Sequence, residues 1–135
     1  MSKPDQMSQS YVMSDDAVRF ATMIMAGQGV SNEDAAIIAE CLVEADLRGV
    51  QTHGLSRLPV YVERVQRGLV KAVPNMKLEK PVAACASLDG DNGFGFLVGR
   101  KAMQEAITMA DSCGVGVVAA RNSNHFGMAA TYLLQ

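Results

Sequence analysis

Two short apolar runs bracket one long helical stretch in the second half of the chain, and this arrangement limits the fold more than any other feature. Residues 82–88 and 115–120 are built from valine, alanine and other small or β-branched side chains. Between them, residues 94–113 place Leu97, Val98, Met103, Ala106, Ile107 and Ala110 on one side of a helix that Gly114 stops. Strand, helix and strand in that order form a βαβ-like unit, expected to have both sheet faces covered. The fold class is therefore α/β.

The first half has a different period. Ser14 reads as an N-cap followed by Asp15 and Asp16 on the positive end of a helix dipole. Val18, Ala21 and Met25 then recur at helical spacing up to the stop at Gly27 and Gly29. Ser31 opens a second helix in which Ala35, Ile38, Ala39, Leu42, Val43 and Leu47 form a continuous stripe ending at Gly49. A third helix runs to Gly68. Its start is constrained by Pro59, which is tolerated only in a first turn; Ser56 as N-cap satisfies that. Val62, Val65 and Leu69 should pack inward, with Glu63, Arg64, Gln66 and Arg67 largely in water. Residues 71–81 read as a connector with a short edge strand, and residues 89–93 as a loop.

This divides the chain into a flexible tail over residues 1–10, a helical segment over 11–70, and the start of an α/β domain over 71–135. The last stretch, residues 128–134, looks like a helix that has just begun, and no glycine, basic turn or polar tail closes it; the pattern predicts that the chain is the first part of a longer protein.

Composition excludes several classes. A net charge of −2 with singly spread lysines and arginines argues against a nucleic-acid partner. The polar N-terminus lacks the apolar core of a signal peptide, and no apolar run approaches the roughly 18 residues of a membrane span. Cys41, Cys85 and Cys113 are odd in number, widely spaced and unaccompanied by metal-ligand clusters, so they read as buried free thiols in a reducing cytoplasm, with no metal site. Asp89 and Asp91 in a turn read as acceptors for backbone amides. The nine methionines read mostly as core filler.

Polar chemistry is concentrated in two knots. The first carries Thr52, His53, Arg57 and Tyr61 between the second and third helices; Arg57 and Tyr61 are four residues apart and can share a helix face. The second, residues 122–127, contains His125, the only other histidine, directly after an apolar strand, where ligands commonly bind in α/β proteins. The guanidinium fork suits a carboxylate, the hydroxyl a substrate oxygen, and an imidazole titrates near neutrality. On the residues alone, a joint anionic-substrate site and a pair of hydrogen-bonded structural histidines both remain open. Gly93, Gly95 and Gly99 invite a dinucleotide fingerprint, but the spacing is GxGxxxG and the following strand ends in Arg121 and Asn122, with no acid to hold a ribose.

Asp46-Leu47-Arg48-Gly49, Thr52-His53-Gly54, Arg57, Pro59 and Tyr61, followed by Asp89-Gly90, Gly93 and Gly95, then Asn122-Ser123, His125-Phe126-Gly127, resemble the successive N-terminal motifs of the type-2 malate/L-lactate dehydrogenase family. That family includes ureidoglycolate dehydrogenase, 2,3-diketo-L-gulonate reductase and Δ1-piperideine-2-carboxylate reductase. The resemblance runs from about Ser14 to the end of the chain.

It implies a homodimeric, NAD- or NADP-dependent oxidoreductase of non-Rossmann fold, of which this chain is well under half. It also implies a small carboxylate substrate, a 2-hydroxy acid, 2-oxo acid or cyclic imine. His53 and His125 are then the proton donor/acceptor candidates, Arg57 a carboxylate clamp, and Thr52 and Tyr61 substrate-binding residues. The family pattern has serine where this chain has Thr52, whose extra methyl narrows the pocket. The competing expectation is a catalytically inactive module for folding or dimerisation.

Overall fold

A computed structural model describes residues 11–134; the tail expected over residues 1–10 lies outside them. Five α-helices and three strands follow one another as α1 (Ser14–Ala26), α2 (Asn32–Leu47), two 3-10 turns (Gln51–His53 and Leu55–Arg57), α3 (Leu58–Gln66), β1 (Lys77–Val82), β2 (Cys85–Gly93), α4 (Gly95–Cys113), β3 (Val117–Ser123) and α5 (Ala130–Leu133). The sheet order is β1-β2-β3, with β1 antiparallel and β3 parallel to β2. The parallel pair joined by α4 is the βαβ unit read from the sequence.

The main core lies between the N-terminal helices and the start of α4. Ala21 and Met25 of α1, Ile38, Ala39 and Leu42 of α2, Leu58 and Tyr61 of α3, and Phe94, Phe96 and Leu97 form one buried cluster. Fully burying side chains of this size contributes roughly 1.5–3 kcal/mol each. Phe96, Met25, Ile38 and Leu42 are completely enclosed.

Several sequence expectations are corrected in detail. Ser14 lies inside α1, whose cap position is Met13 without a side-chain bond, whereas Ser31 caps α2 by accepting from Asp34 N at 3.1 Å. Ser56 is not the cap of α3: its hydroxyl donates to Gln51 O, Arg57 takes the cap position, and Pro59 still falls in the first turn. Leu47 is 72% exposed, beyond the arc that α2 buries, and Leu69 yields its inward place to Val70. Cys113, at the tip of α4, is exposed, while Cys41 is buried. Met25 and Met109 are core residues, but Met13 and Met23 face outward.

The run 82–88 is not one strand. Val82 pairs with Cys85, and Ala83 and Ala84 turn the chain between β1 and β2. Residues 89–93, expected to be a loop, continue β2 through an irregularity in which Asp91 and Asn92 adopt left-handed backbone (φ 47° and 59°). The cause is cross-strand: Arg121 and Asn122 donate to the Asp89 carboxylate, and Asp89 also accepts from Asp91 N, as a turn aspartate should. Nor are both sheet faces covered. Ala86, Leu88 and Gly90 of β2 are buried, but most residues of β1 and β3 are exposed. No helix among the described residues is long and apolar enough to cross a membrane.

Candidate functional site

The first knot is folded around a carboxylate. Asp46, near the end of α2, accepts from Leu55 N at 2.8 Å, drawing the two 3-10 turns back over the helix end. On the outside of these turns, Arg57 Nε donates to Thr52 O at 2.9 Å and Thr52 Oγ1 lies 3.0 Å from His53 Nδ1. Thr52 and Arg57 are exposed and His53 is half-buried. Arg57 spends its Nε on the backbone; among the described residues no carboxylate pairs with its terminal nitrogens.

Helix α3 then delivers Tyr61. Its ring is buried edge-on against Phe94 and Phe96, with centroids 6.3 and 5.4 Å away. Its hydroxyl lies 2.9 Å from Nδ1 of His125. Tyr61 therefore meets the site through His125, and burial holds its phenol above the ordinary value against the pull of Arg57 and Arg64.

The second knot is pinned by amides. Asn124 donates to Asn92 O, Asn92 Oδ1 and Gly93 O, and its own Oδ1 accepts from Arg64 at 2.9 Å. A Cβ on Gly95 would lie 2.2 Å from Asn124 O and 2.5 Å from the His125 carbonyl carbon, so only glycine lets the loop rest on the start of α4. Arg64 and Asn124 are the residues that sequence reasoning missed. The sequence pattern places Arg64 in water, yet it lies three residues beyond Tyr61 and shares its face.

These supports bring the two histidines together. The rings of His53 and His125 stack with centroids 5.3 Å apart and planes inclined by 28°. Burial, then His53, Arg57 and Arg64, hold His125 below the usual histidine value. Each charged or chargeable neighbour in that set is cationic, an environment that attracts an anion. Thus Thr52, His53, Arg57 and His125 converge on one partly open surface, and Tyr61 lies behind it.

Gly93 and Gly95 are packed against the chain itself: a Cβ on Gly93 would lie 2.6 Å from Pro74 Cγ. The space beside the Gly95 Cα is filled by the chain's own backbone at Asn124 and His125, so this glycine serves close packing of the loop on α4. Groups of three or more potential metal ligands are absent among the described residues.

The architecture is thus that of an α/β protein whose strand-helix-strand unit is not a Rossmann site. Residues 12–135 match the model of the malate/L-lactate dehydrogenase family, and the chain belongs to that family. It is 43% identical over 120 residues to a malate dehydrogenase of Pyrococcus abyssi, covering 89% of this chain and 33% of that protein. It is 48% identical over 104 residues to an L-sulfolactate dehydrogenase of Methanocaldococcus jannaschii, covering 77% of this chain and 30% of that one. The solved malate dehydrogenase of Pyrococcus horikoshii superposes with a TM-score of 0.87 at 40% identity, covering 93% of this chain and 38% of its own. The chain spans about a third of the length of the relatives it matches.

Proposed function

We propose that this chain carries the substrate side of an NAD- or NADP-dependent oxidoreductase acting on a small 2-hydroxy or 2-oxo acid, or a related cyclic imine. The observation that supports this best is the stacked pair His53 and His125 beside Arg57, whose terminal nitrogens pair with no carboxylate among the described residues. Similarity to dehydrogenases of malate and sulfolactate, both small acids, points the same way.

In this reading Arg57 grips the substrate carboxylate. Its Nε bond to Thr52 O fixes the plane of the guanidinium, so its Nη edge is presented in a set orientation and less side-chain freedom is lost on binding. Thr52, beside His53, positions the substrate oxygen with its hydroxyl. His53 and His125 are the two candidates for exchanging a proton with that oxygen, or with an imine nitrogen, and Tyr61 contributes to substrate binding from behind His125. A bound nicotinamide nucleotide supplies or takes up the hydride at the neighbouring carbon. The glycine turn before α4 lacks the dinucleotide spacing and is packed against the Asn124–His125 backbone. In a full-length member of the family, the remaining two thirds of the protein are assigned the binding of that nucleotide. A homodimer in the cytoplasm, without nucleic-acid or membrane partners, completes the proposal.

Initial rates of NADH and NADPH oxidation with pyruvate, oxaloacetate and a cyclic imine test it, run on this chain and on any longer reading frame that contains it. Turnover by the longer protein alone is the expected result. Turnover by the 135-residue chain unaided contradicts the assignment of the nucleotide elsewhere, and no turnover by either leaves a folding or dimerisation module as the better description.

A further inference from the structure

The two histidines are held in chemically different ways. His53 Nδ1 faces the Thr52 hydroxyl, which can donate to a bare ring nitrogen or accept from a protonated one. It therefore suits both protonation states. His125 Nδ1 is approached by Tyr61 Oη at 2.9 Å and also by the backbone N–H of Gly127 at 3.3 Å. An amide N–H can only donate, so Nδ1 must present its lone pair, and the proton of a neutral His125 lies on Nε2.

The sequence builds this contact in. Gly127 takes a left-handed conformation (φ 74°), and a Cβ there would lie 2.4 Å from Phe96 Cε1, so only glycine brings this amide to the ring. Tyr61 is fixed by Phe94 and Phe96, which leaves its hydroxyl little choice but His125. Protonating His125 at Nδ1 would set the Gly127 amide N–H against a ring N–H and oblige the Tyr61 hydroxyl to turn from donor to acceptor, beside Arg57, Arg64 and His53.

Resting on the function proposed above, we infer that Tyr61 is a positioning residue: with the Gly127 amide it locks His125 as the neutral Nε2–H tautomer. His125 then meets the substrate oxygen as a hydrogen-bond donor and keeps its proton throughout. In the reductive direction the oxygen ends with one more proton. That proton leaves Nε2 of the His53 imidazolium, which becomes neutral imidazole and is recharged from solvent. The same transfer runs backwards in oxidation.

The test is long-range proton–nitrogen correlation NMR of the 15N-labelled chain near neutral pH, with His125 assigned by its loss in His125→Gln. The expected spectrum has His125 protonated on Nε2 and bare at Nδ1. In Tyr61→Phe, which keeps the buried ring, the Nδ1–H form of His125 should gain population. A wild-type His125 that is mainly Nδ1–H overturns the inference whatever the variant does. An unchanged tautomer ratio in Tyr61→Phe removes Tyr61 from it. These readings need no turnover: the tautomer can stand as inferred while His53→Gln and His125→Gln leave the rate intact, and that outcome defeats the proposed function instead.

Discussion

Asp46 and Gly54 are in direct contact: a Cβ on residue 54 would lie 1.9 Å from Asp46 Oδ1, in the space from which the carboxylate receives Leu55 N. The turn that carries Thr52, His53 and Arg57 is thus shaped by an acid on α2 and by the lack of a side chain opposite it. Gly54→Ala should push the carboxylate off the amide. The loss of a charge-assisted hydrogen bond costs about 1.5–3 kcal/mol. The urea midpoint of the variant should fall accordingly, and Asp46→Ala should fall by a similar amount.

The His125 loop depends on Arg64 reaching across from α3 to Asn124. Arg64→Met keeps the packing of the stem but leaves the amide oxygen without this donor. Amide exchange over residues 122–127 should quicken by about tenfold, the equivalent of one hydrogen bond of about 1.4 kcal/mol, while the amides of α2 remain protected. Unchanged exchange over residues 122–127 would mean that the loop is held by its bonds to Asn92 and Gly93 alone.

Acid stability should depend on the end of the sheet that leads into the His125 loop. Asp91 N and the Asn122 side chain, with Arg121, hold Asp89 below the ordinary carboxylate value, and Lys71 and Asn75 N do the same for Asp91. A depressed folded-state value means that the stabilisation is complete above the unfolded value of 3.8 and is lost as pH falls through the lower folded one. The thermal midpoint should therefore be little affected by these groups above about pH 5 and should drop steeply below about pH 4. Asp89→Asn with Asp91→Asn should flatten that drop.

The thiols should separate by accessibility. Burial raises the Cys41 thiol to about 11, so it is protonated and shielded at pH 8, whereas Cys113 is exposed at the end of α4. Maleimide-type or disulfide reagents should label Cys113 in the native chain and reach Cys41 only in denaturant. Mass mapping of the labelled peptides decides this.

The helices and the βαβ unit were legible because their apolar periods are long and their stops are glycines. The hairpin turn at Ala83 and Ala84 was not, since two alanines carry no turn signal and sit inside an apolar run. Asp89 to Gly93 looked like a loop for the opposite reason: the residues are turn formers, and the partners that hold them in β2 come from β3. Residue types and order single out Thr52, His53, Arg57 and His125 as candidates, and the structure brings them together. Tyr61 was recognised, but its burial and its bond to His125 Nδ1 depend on Phe94 and Phe96, which local sequence does not place. Arg64 was lost among exposed charges because its partner lies 60 residues away.

The central claim is that Arg57 grips the carboxylate of a small 2-oxo or 2-hydroxy acid and the stacked histidines act on its reacting oxygen. Steady-state NAD(P)H oxidation by the catalytically active form, with pyruvate and oxaloacetate varied, tests it most directly. Arg57→Ala should raise KM by about 10- to 100-fold, the equivalent of one charge-assisted contact of roughly 1.5–3 kcal/mol. His53→Ala should lower kcat by about 10²- to 10⁴-fold, the usual range for a general acid–base. Unchanged KM and kcat in both variants and in His125→Ala would contradict the account.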